Sequence, residues 1–172
     1  NTMATINTLL FAFALLISSI YGQTKSAYYG AWMQKLSDST DAPNFDTSTA
    51  TLTDIVLPGS HHAGMYTEAI VGNGYQLSND DFGGVLTSYP GDELRLKWSR
   101  RQTGSVSDQL NAGSRVLDIR LERNGGTVYA HNGLLGATLS TMLADIASFA
   151  SSMGSGEIIV LNFNDFVGIT NG

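Results

Sequence analysis

The sequence predicts an α/β protein with a mostly parallel sheet, the front half of a TIM-like β/α barrel. Three observations carry this. Apolar runs bounded by turn residues alternate with helically periodic segments, in the order strand, helix, strand, strand, helix, strand. Glycine occurs 19 times, enough to supply many tight turns. The 172 residues end just after a strand-like run, whereas a complete barrel takes about 250 residues.

Residues 9–20, LLFAFALLISSI, form an uncharged apolar run about as long as the h-region of a secretory signal, with Ser18, Ser19 and Gly22 near a cleavage zone. The run is short for a bilayer span, which takes about 20 apolar residues. No Lys or Arg precedes it. The expected organisation is a leader over 1–22, an N-terminal extension over 23–53 and a barrel half over 54–172. A secreted protein follows.

The extension is rich in Ser, Thr, Asp and Ala. Its aromatic cluster, Tyr28, Tyr29 and Trp32, suggests a short helix, followed by a loop around Asp41. Asp54-Ile-Val-Leu, stopped by Pro58-Gly59, reads as the first strand, buried on both faces. Residues 64–91 show few periodic signals, an unusually long connection for a compact domain. Trp98 and a basic group, Arg95, Lys97, Arg100 and Arg101, follow.

SVSDQLNAG reads as a short helix ended by Gly113. Arg115 to Leu121 is the next strand, Asn124-Gly-Gly a turn and Thr127 to His131 another strand. From Leu139 to Met153, the apolar residues Leu139, Met142, Leu143, Ile146, Phe149, Ala150 and Met153 recur at helical spacing. Glu157 to Phe163 reads as a second strongly buried strand.

The formal net charge of −6 argues against a nucleic-acid partner, since phosphate backbones select basic surfaces. It also argues against charge-driven docking on anionic lipid. With no cysteine, disulfides, thiolate metal sites and a cysteine nucleophile are excluded.

In parallel α/β folds, reactive groups gather at the carboxyl ends of strands. That rule collects His61 and His62 after the first strand, Asp118 and Arg120 on the second, His131 on the third, and Asn164 and Asp165 on the last. All three histidines of the chain are among them. Taken singly, each has a structural alternative: loop histidines, an ion pair, turn residues. Together they suit a phosphodiester. Imidazoles serve as general base and acid near neutral pH. A guanidinium fork matches phosphate oxygens. Asp118 and Arg120, two apart on a strand, point to one side.

These residues resemble the X domain of phosphatidylinositol-specific phospholipase C, in its bacterial-type form. The resemblance rests on LPGSHHAGMY (57–66), QLNAGSRVLDIR (109–120) and YAHNG (129–133), in the family's order. It implies an irregular barrel of the phospholipase C-like phosphodiesterase type. It implies His61 as the base that deprotonates the inositol 2-hydroxyl, and His131 as the acid that protonates the leaving oxygen. Arg120 would bind the phosphate, and Asp118 would support the base. Asn164 and His62 are the candidate substrate-binding residues. The substrate implied is a phospholipid or glycolipid phosphodiester at a membrane surface, with a cyclic inositol phosphate as first product. Arg120 stands where calcium-dependent relatives carry an acidic ligand, so no metal or other cofactor is expected. No protein partner is expected either.

Three departures from the family pattern stand out. His62 replaces the usual Asp after the first histidine, leaving His131 either a weaker acid or served by another carboxylate. Asn162, Asn164 and Asp165 stand where bacterial enzymes place a lysine near the headgroup. The carboxylate that pairs with the base belongs to the family's second half, beyond Gly172, so this stretch alone is expected to be inactive. Two other readings compete. One is a catalytically dead binding protein on the same scaffold. The other is a metal-dependent phosphodiesterase of the glycerophosphodiester or sphingomyelinase D kind, disfavoured because no Glu-x-Asp pattern follows the second strand.

Overall fold

The computed structural model describes residues 30–36, 46, 49–71, 74–79, 92–153 and 156–169. The expected leader and the loop around Asp41 lie outside these. The helices are α1 (Trp32–Leu36), α2 (Asp92–Ser99), α3 (Val106–Asn111) and α4 (Leu139–Met153). The strands are β1 (Gly59–Ser60), β2 (Ile70–Val71), β3 (Gly74–Tyr75), β4 (Val116–Asn124), β5 (Thr127–Asn132), β6 (Leu134–Thr138) and β7 (Val160–Val167). No described helix is long and apolar enough to cross a membrane.

β4 organises the sheet. β1 and β7 pair with it in parallel, and β5 pairs antiparallel through Asn124↔Thr127. Gly125, at φ 58°, closes this two-residue hairpin, a conformation that favours glycine. β6 then pairs antiparallel with β5. The sheet is therefore mixed, where a mostly parallel one was expected. The difference is the hairpin extension β5–β6, whose second strand was not anticipated. LLGAT lacks the β-branched run that marks a strand, and β5 templates it.

One side of β4 carries the core. Leu117, Ile119 and Leu121 are buried with Ala130, Ala137, Val106, Leu110, Met142 and Phe149. Each large apolar side chain so buried contributes about 1.5–3 kcal/mol relative to exposure. α4 matches its expected range, and Thr138 Oγ1 accepts from the Thr141 N–H at 3.1 Å at its start. Leu143 is 43% exposed, so the apolar face is narrower than the sequence suggests. α3 begins at Ser105, which forms a capping box with Asp108, and ends before Gly113 at φ 105°.

Two strands fall later than expected. The run Asp54 to Leu57 is not a strand buried on both faces: Val56 is 92% exposed. Thr51 and Asp54 form a capping box that turns Leu52–Asp54 into a 3₁₀ segment. Parallel pairing starts only at Gly59↔Val116, just past Pro58, which has no N–H to give. The Pro58 carbonyl instead accepts from Arg115 and Val116. Likewise β7 starts at Val160 rather than Glu157, and none of its residues is fully buried. Glu157 is recruited as an ion-pair partner. The stretch 64–91, which shows few periodic signals in the sequence, holds the β2–β3 hairpin and a bridge, Leu77↔Leu134, that ties it to β6.

The base of β4 is fastened by Arg115. Its guanidinium is fully buried and pairs with Glu157 at 2.7 Å. It donates to the Leu110 carbonyl at 3.0 Å and to the Gly30 carbonyl, and lies 4.9 Å from the Phe149 ring centre. Removing one member of such a pair strands a buried charge. Glu157→Ala is expected to lower unfolding free energy by about 3–5 kcal/mol. Urea titration checks this, and a loss below about 1 kcal/mol would mean that water relieves the charge.

Candidate active site

Asp118, Arg120 and Glu122 alternate with the buried Leu117, Ile119 and Leu121. The three therefore share the face of β4 opposite the core. His61 reaches this face from the turn after β1, with Nδ1 2.8 Å from Asp118 Oδ2 and a side chain 68% exposed. The carbonyl of His61 accepts from Gln102 Nε2 at 2.7 Å, and the Ala63 N–H donates to the Asp118 carbonyl at 2.8 Å. Gly64 makes the turn possible: a Cβ there would lie 2.3 Å from Ala130 Cβ and 2.6 Å from Met142 Sδ.

Asp118 is gripped from both sides. Asn162 Nδ2 donates to Oδ1 at 3.2 Å, and Asn164 Nδ2 donates to the same oxygen. Partial burial works against the charged form of Asp118. The Asn164 amide, the His61 ring and the His62 backbone outweigh it, so the carboxyl sits below its ordinary range.

His62 adopts a left-handed backbone, φ 50°, which folds its ring inward. The ring is 4% exposed and lies 3.9 Å from that of His61, and neither nitrogen has a hydrogen-bond partner. Burial, then the positive charge of Arg120, pushes its pKa down to about 4. At neutral pH it is an uncharged imidazole with both nitrogens unengaged.

Arg120 Nη1 pairs with Asp165 Oδ2 at 3.1 Å, and its Nε is buried without a partner. Asp165 sits where the β4–β7 register slips by one residue, in a left-handed conformation of φ 51°. This bulge turns the Asp165 carbonyl onto His131 Nε2, at 2.8 Å. His131 is 1% exposed. Its Nδ1 lies 3.4 Å from Ser78 Oγ, and that hydroxyl donates to Glu122. His61 thus bonds Asp118 of β4 directly, His131 is linked to Glu122 of β4 only through Ser78, and Arg120 stands midway between Asp118 and Glu122 on the strand.

Glu122 and Ser78 were not singled out from the sequence. Glu122 had a signal, since continuing the period-two alternation past Arg120 reaches it. Ser78 had none, because it arrives through the β3–β6 tether. A cleft beside α3, lined by Pro58, Ser60, Gln102, Asp108 and Ser114, includes none of the expected catalytic side chains. His61, His62 and Asp118 offer ligand atoms within 4.8 Å of one another, a spacing that a cation could bridge. The positive charge of the adjacent Arg120 guanidinium opposes a cation there.

No family model matches the chain. It is 29% identical over 150 residues to PI-PLC X domain-containing protein 3 of Danio rerio, covering 83% of this chain and 44% of that protein. A PI-PLC X domain-containing protein of Dictyostelium discoideum is 31% identical over 98 residues, 56% of this chain and 16% of that one. The fold matches the phosphatidylinositol-specific phospholipase C of Staphylococcus aureus with a TM-score of 0.56 at 22% identity, over 85% of this chain and 40% of that chain. The chain thus spans less than half the length of these relatives and has the fold of an incomplete barrel.

The buried His62 makes folding sensitive to acid. Its folded pKa of about 4 lies below the ordinary value of 6.5. Between these two pH values the unfolded chain binds the extra proton, so stability falls as pH drops through that window. His62→Gln is expected to reduce the stability lost between pH 7 and pH 5 by about 1–2 kcal/mol. Urea midpoints at the two pH values check it, and parallel losses in both proteins would show that His62 protonates freely when folded.

Proposed function

We propose that this chain is a member of the phosphatidylinositol-specific phospholipase C X-domain family and that it provides the acid–base face of an enzyme that cleaves a phosphoinositide or glycosylphosphoinositide. The observation that carries this reading is the face of β4, where Asp118, Arg120 and Glu122 share one side, His61 bonds Asp118, and His131 is linked to Glu122 through the Ser78 hydroxyl. His61, oriented by Asp118, takes the proton from the substrate's 2-hydroxyl as that oxygen attacks phosphorus. The bond to the leaving oxygen breaks, and His131 gives that oxygen a proton. A cyclic phosphate and an alcohol result. Arg120, whose Nε has no partner, offsets the charge that grows on the phosphate oxygens. Asn164, bonded to Asp118, stands beside the attacking hydroxyl, and the buried His62 ring backs the site from within rather than meeting the substrate. The positive charge of Arg120 stands in for a metal.

A second reading has one observation in its favour. His131 is almost fully buried and its Nε2 already contacts the Asp165 carbonyl. A phosphodiester-binding protein without turnover would tolerate that arrangement.

The test uses the full-length protein with phosphatidylinositol vesicles in EDTA, followed by phosphorus NMR. Cyclic inositol phosphate is expected to form, and His61→Ala is expected to lower the rate by at least about 10²-fold. Product that disappears with EDTA would overturn the metal-free mechanism and point to a cation at His61, His62 and Asp118. No product from a folded protein that still binds the vesicles would favour the binding reading.

A further inference from the structure

The hydrogen-bond inventory around His131 leads further. Its Nε2 faces the carbonyl of Asp165, a pure acceptor, so Nε2 carries a hydrogen. The single hydroxyl hydrogen of Ser78 points at Glu122. Glu122 is fully buried, and the Asn79 backbone N–H donates to both its oxygens, at 3.1 Å each. The Asn79 side-chain amide donates to Oε1 as well. A carboxyl surrounded only by donors is an acceptor, so it leaves the Ser78 hydrogen where it is. Ser78 Oγ can then only accept from His131 Nδ1, at 3.4 Å.

We propose that Glu122, acting through the Ser78 hydroxyl, is the positioning residue that holds His131 in its hydrogen-donating form and orientation. This rests on the reading of His131 as the acid. Glu122 thereby does the work of the carboxylate that the family places at position 62. In the step itself, the Nε2 hydrogen passes to the leaving oxygen as the phosphorus–oxygen bond breaks. The ring becomes neutral and keeps its Nδ1 hydrogen on Ser78, while the Glu122 carboxylate keeps its charge. Atoms and charge balance with the proton that His61 has taken.

The segment that carries Ser78 is built into the sheet rather than laid over it. The Ser78 N–H donates to the Gly133 carbonyl at 3.0 Å, and the Gln76 carbonyl accepts from Leu135 at 2.9 Å. Asn132, beside His131, is held by the Ser99 carbonyl at 2.8 Å. The relay therefore joins the β4–β5 hairpin to a segment more than forty residues earlier in the chain, held in place by backbone hydrogen bonds.

The test compares two substrates on the full-length protein. Phosphatidylinositol expels an alkoxide, which needs an acid. A p-nitrophenyl ester of inositol phosphate expels a stable phenolate, which does not. Glu122→Gln keeps the size of the side chain. It is expected to lower kcat on phosphatidylinositol by about tenfold to a hundredfold at unchanged KM, and on the nitrophenyl ester by less than about threefold. Ser78→Ala should behave like Glu122→Gln, and Ser78→Thr, which keeps the hydroxyl, should restore the rate. Equal losses on both substrates would overturn the relay while leaving the proposed reaction intact.

Nitrogen-15 NMR of labelled histidine gives an answer independent of turnover. In the wild type both His131 nitrogens should carry hydrogen, and in Glu122→Gln the Nδ1 hydrogen should be lost. A bare Nδ1 in the wild type would overturn the relay even in an active enzyme. If the wild type cleaves neither substrate, the reaction assigned above falls, and the nitrogen spectra still decide whether Glu122 controls His131.

Discussion

The buried guanidinium of Arg115 is the contact on which the rest of the described structure depends. It is the last residue before β4, and it reaches five places at once. Glu157 before β7, the end of α3, the Gly30 carbonyl ahead of α1, and the faces of Phe149 and Trp32 all meet it. A charge taken wholly out of water is tolerable only when every donor is satisfied. This geometry satisfies the guanidinium with one carboxylate and several carbonyls. Glu157 in turn accepts from the Gln34 backbone at 3.0 Å, so α1 is fixed by the same pair. The parallel strands β1 and β7 are thereby held on either side of β4 at its amino end. The reactive groups follow further along the strand, from Asp118 to Glu122.

β4 does two jobs by alternation. Residues 117, 119 and 121 build the core, and residues 118, 120 and 122 build the site. A one-residue slip would exchange the two sets, so the register set at Gly59↔Val116 and Val116↔Val160 is also what places the chemistry. The one slip that does occur is on β7, at Asp165. It leaves the β4 face intact and turns a single residue so that its carboxylate meets Arg120 and its carbonyl meets His131. Left-handed backbone in a non-glycine residue occurs at two described positions, His62 and Asp165, and both lie at this face.

What could be read from the sequence follows the same physics. Elements with local signals were legible. α3 has its cap at Ser105 and its stop at Gly113, α4 has its apolar stripe, and the β4–β5 hairpin has Gly125-Gly126. Elements set by pairing were not. Gly59-Ser60 has no strand propensity and is a strand only because β4 lies beside it. Val56, in an apolar run that ends at Pro58, looked buried and is exposed because the ladder begins after that proline. β6 is templated by β5. The site was legible where strand ends deliver polar residues, at His61, Asp118, Arg120 and His131. It was illegible at Ser78, whose position depends on a tether between segments far apart in sequence.

The face of β4 reads negative, positive, negative along about 13 Å of strand. That order assigns a task to each charge in the proposed reaction. The central guanidinium meets a phosphate, which no carboxylate could do. Each flanking carboxylate serves one histidine, directly at Asp118 and through a hydroxyl at Glu122. Their surroundings differ in the way acid and base roles require. The Asp118–His61 pair is open to solvent and to an arriving hydroxyl. The Glu122–Ser78–His131 chain is shut away from water, where the ring has no exit for its hydrogen except through Nε2. A histidine at position 62 then becomes intelligible. An aspartate at that buried spot would compete with the phosphate for Arg120, whereas a neutral imidazole leaves the guanidinium to the substrate and the second carboxylate to the far end of the strand.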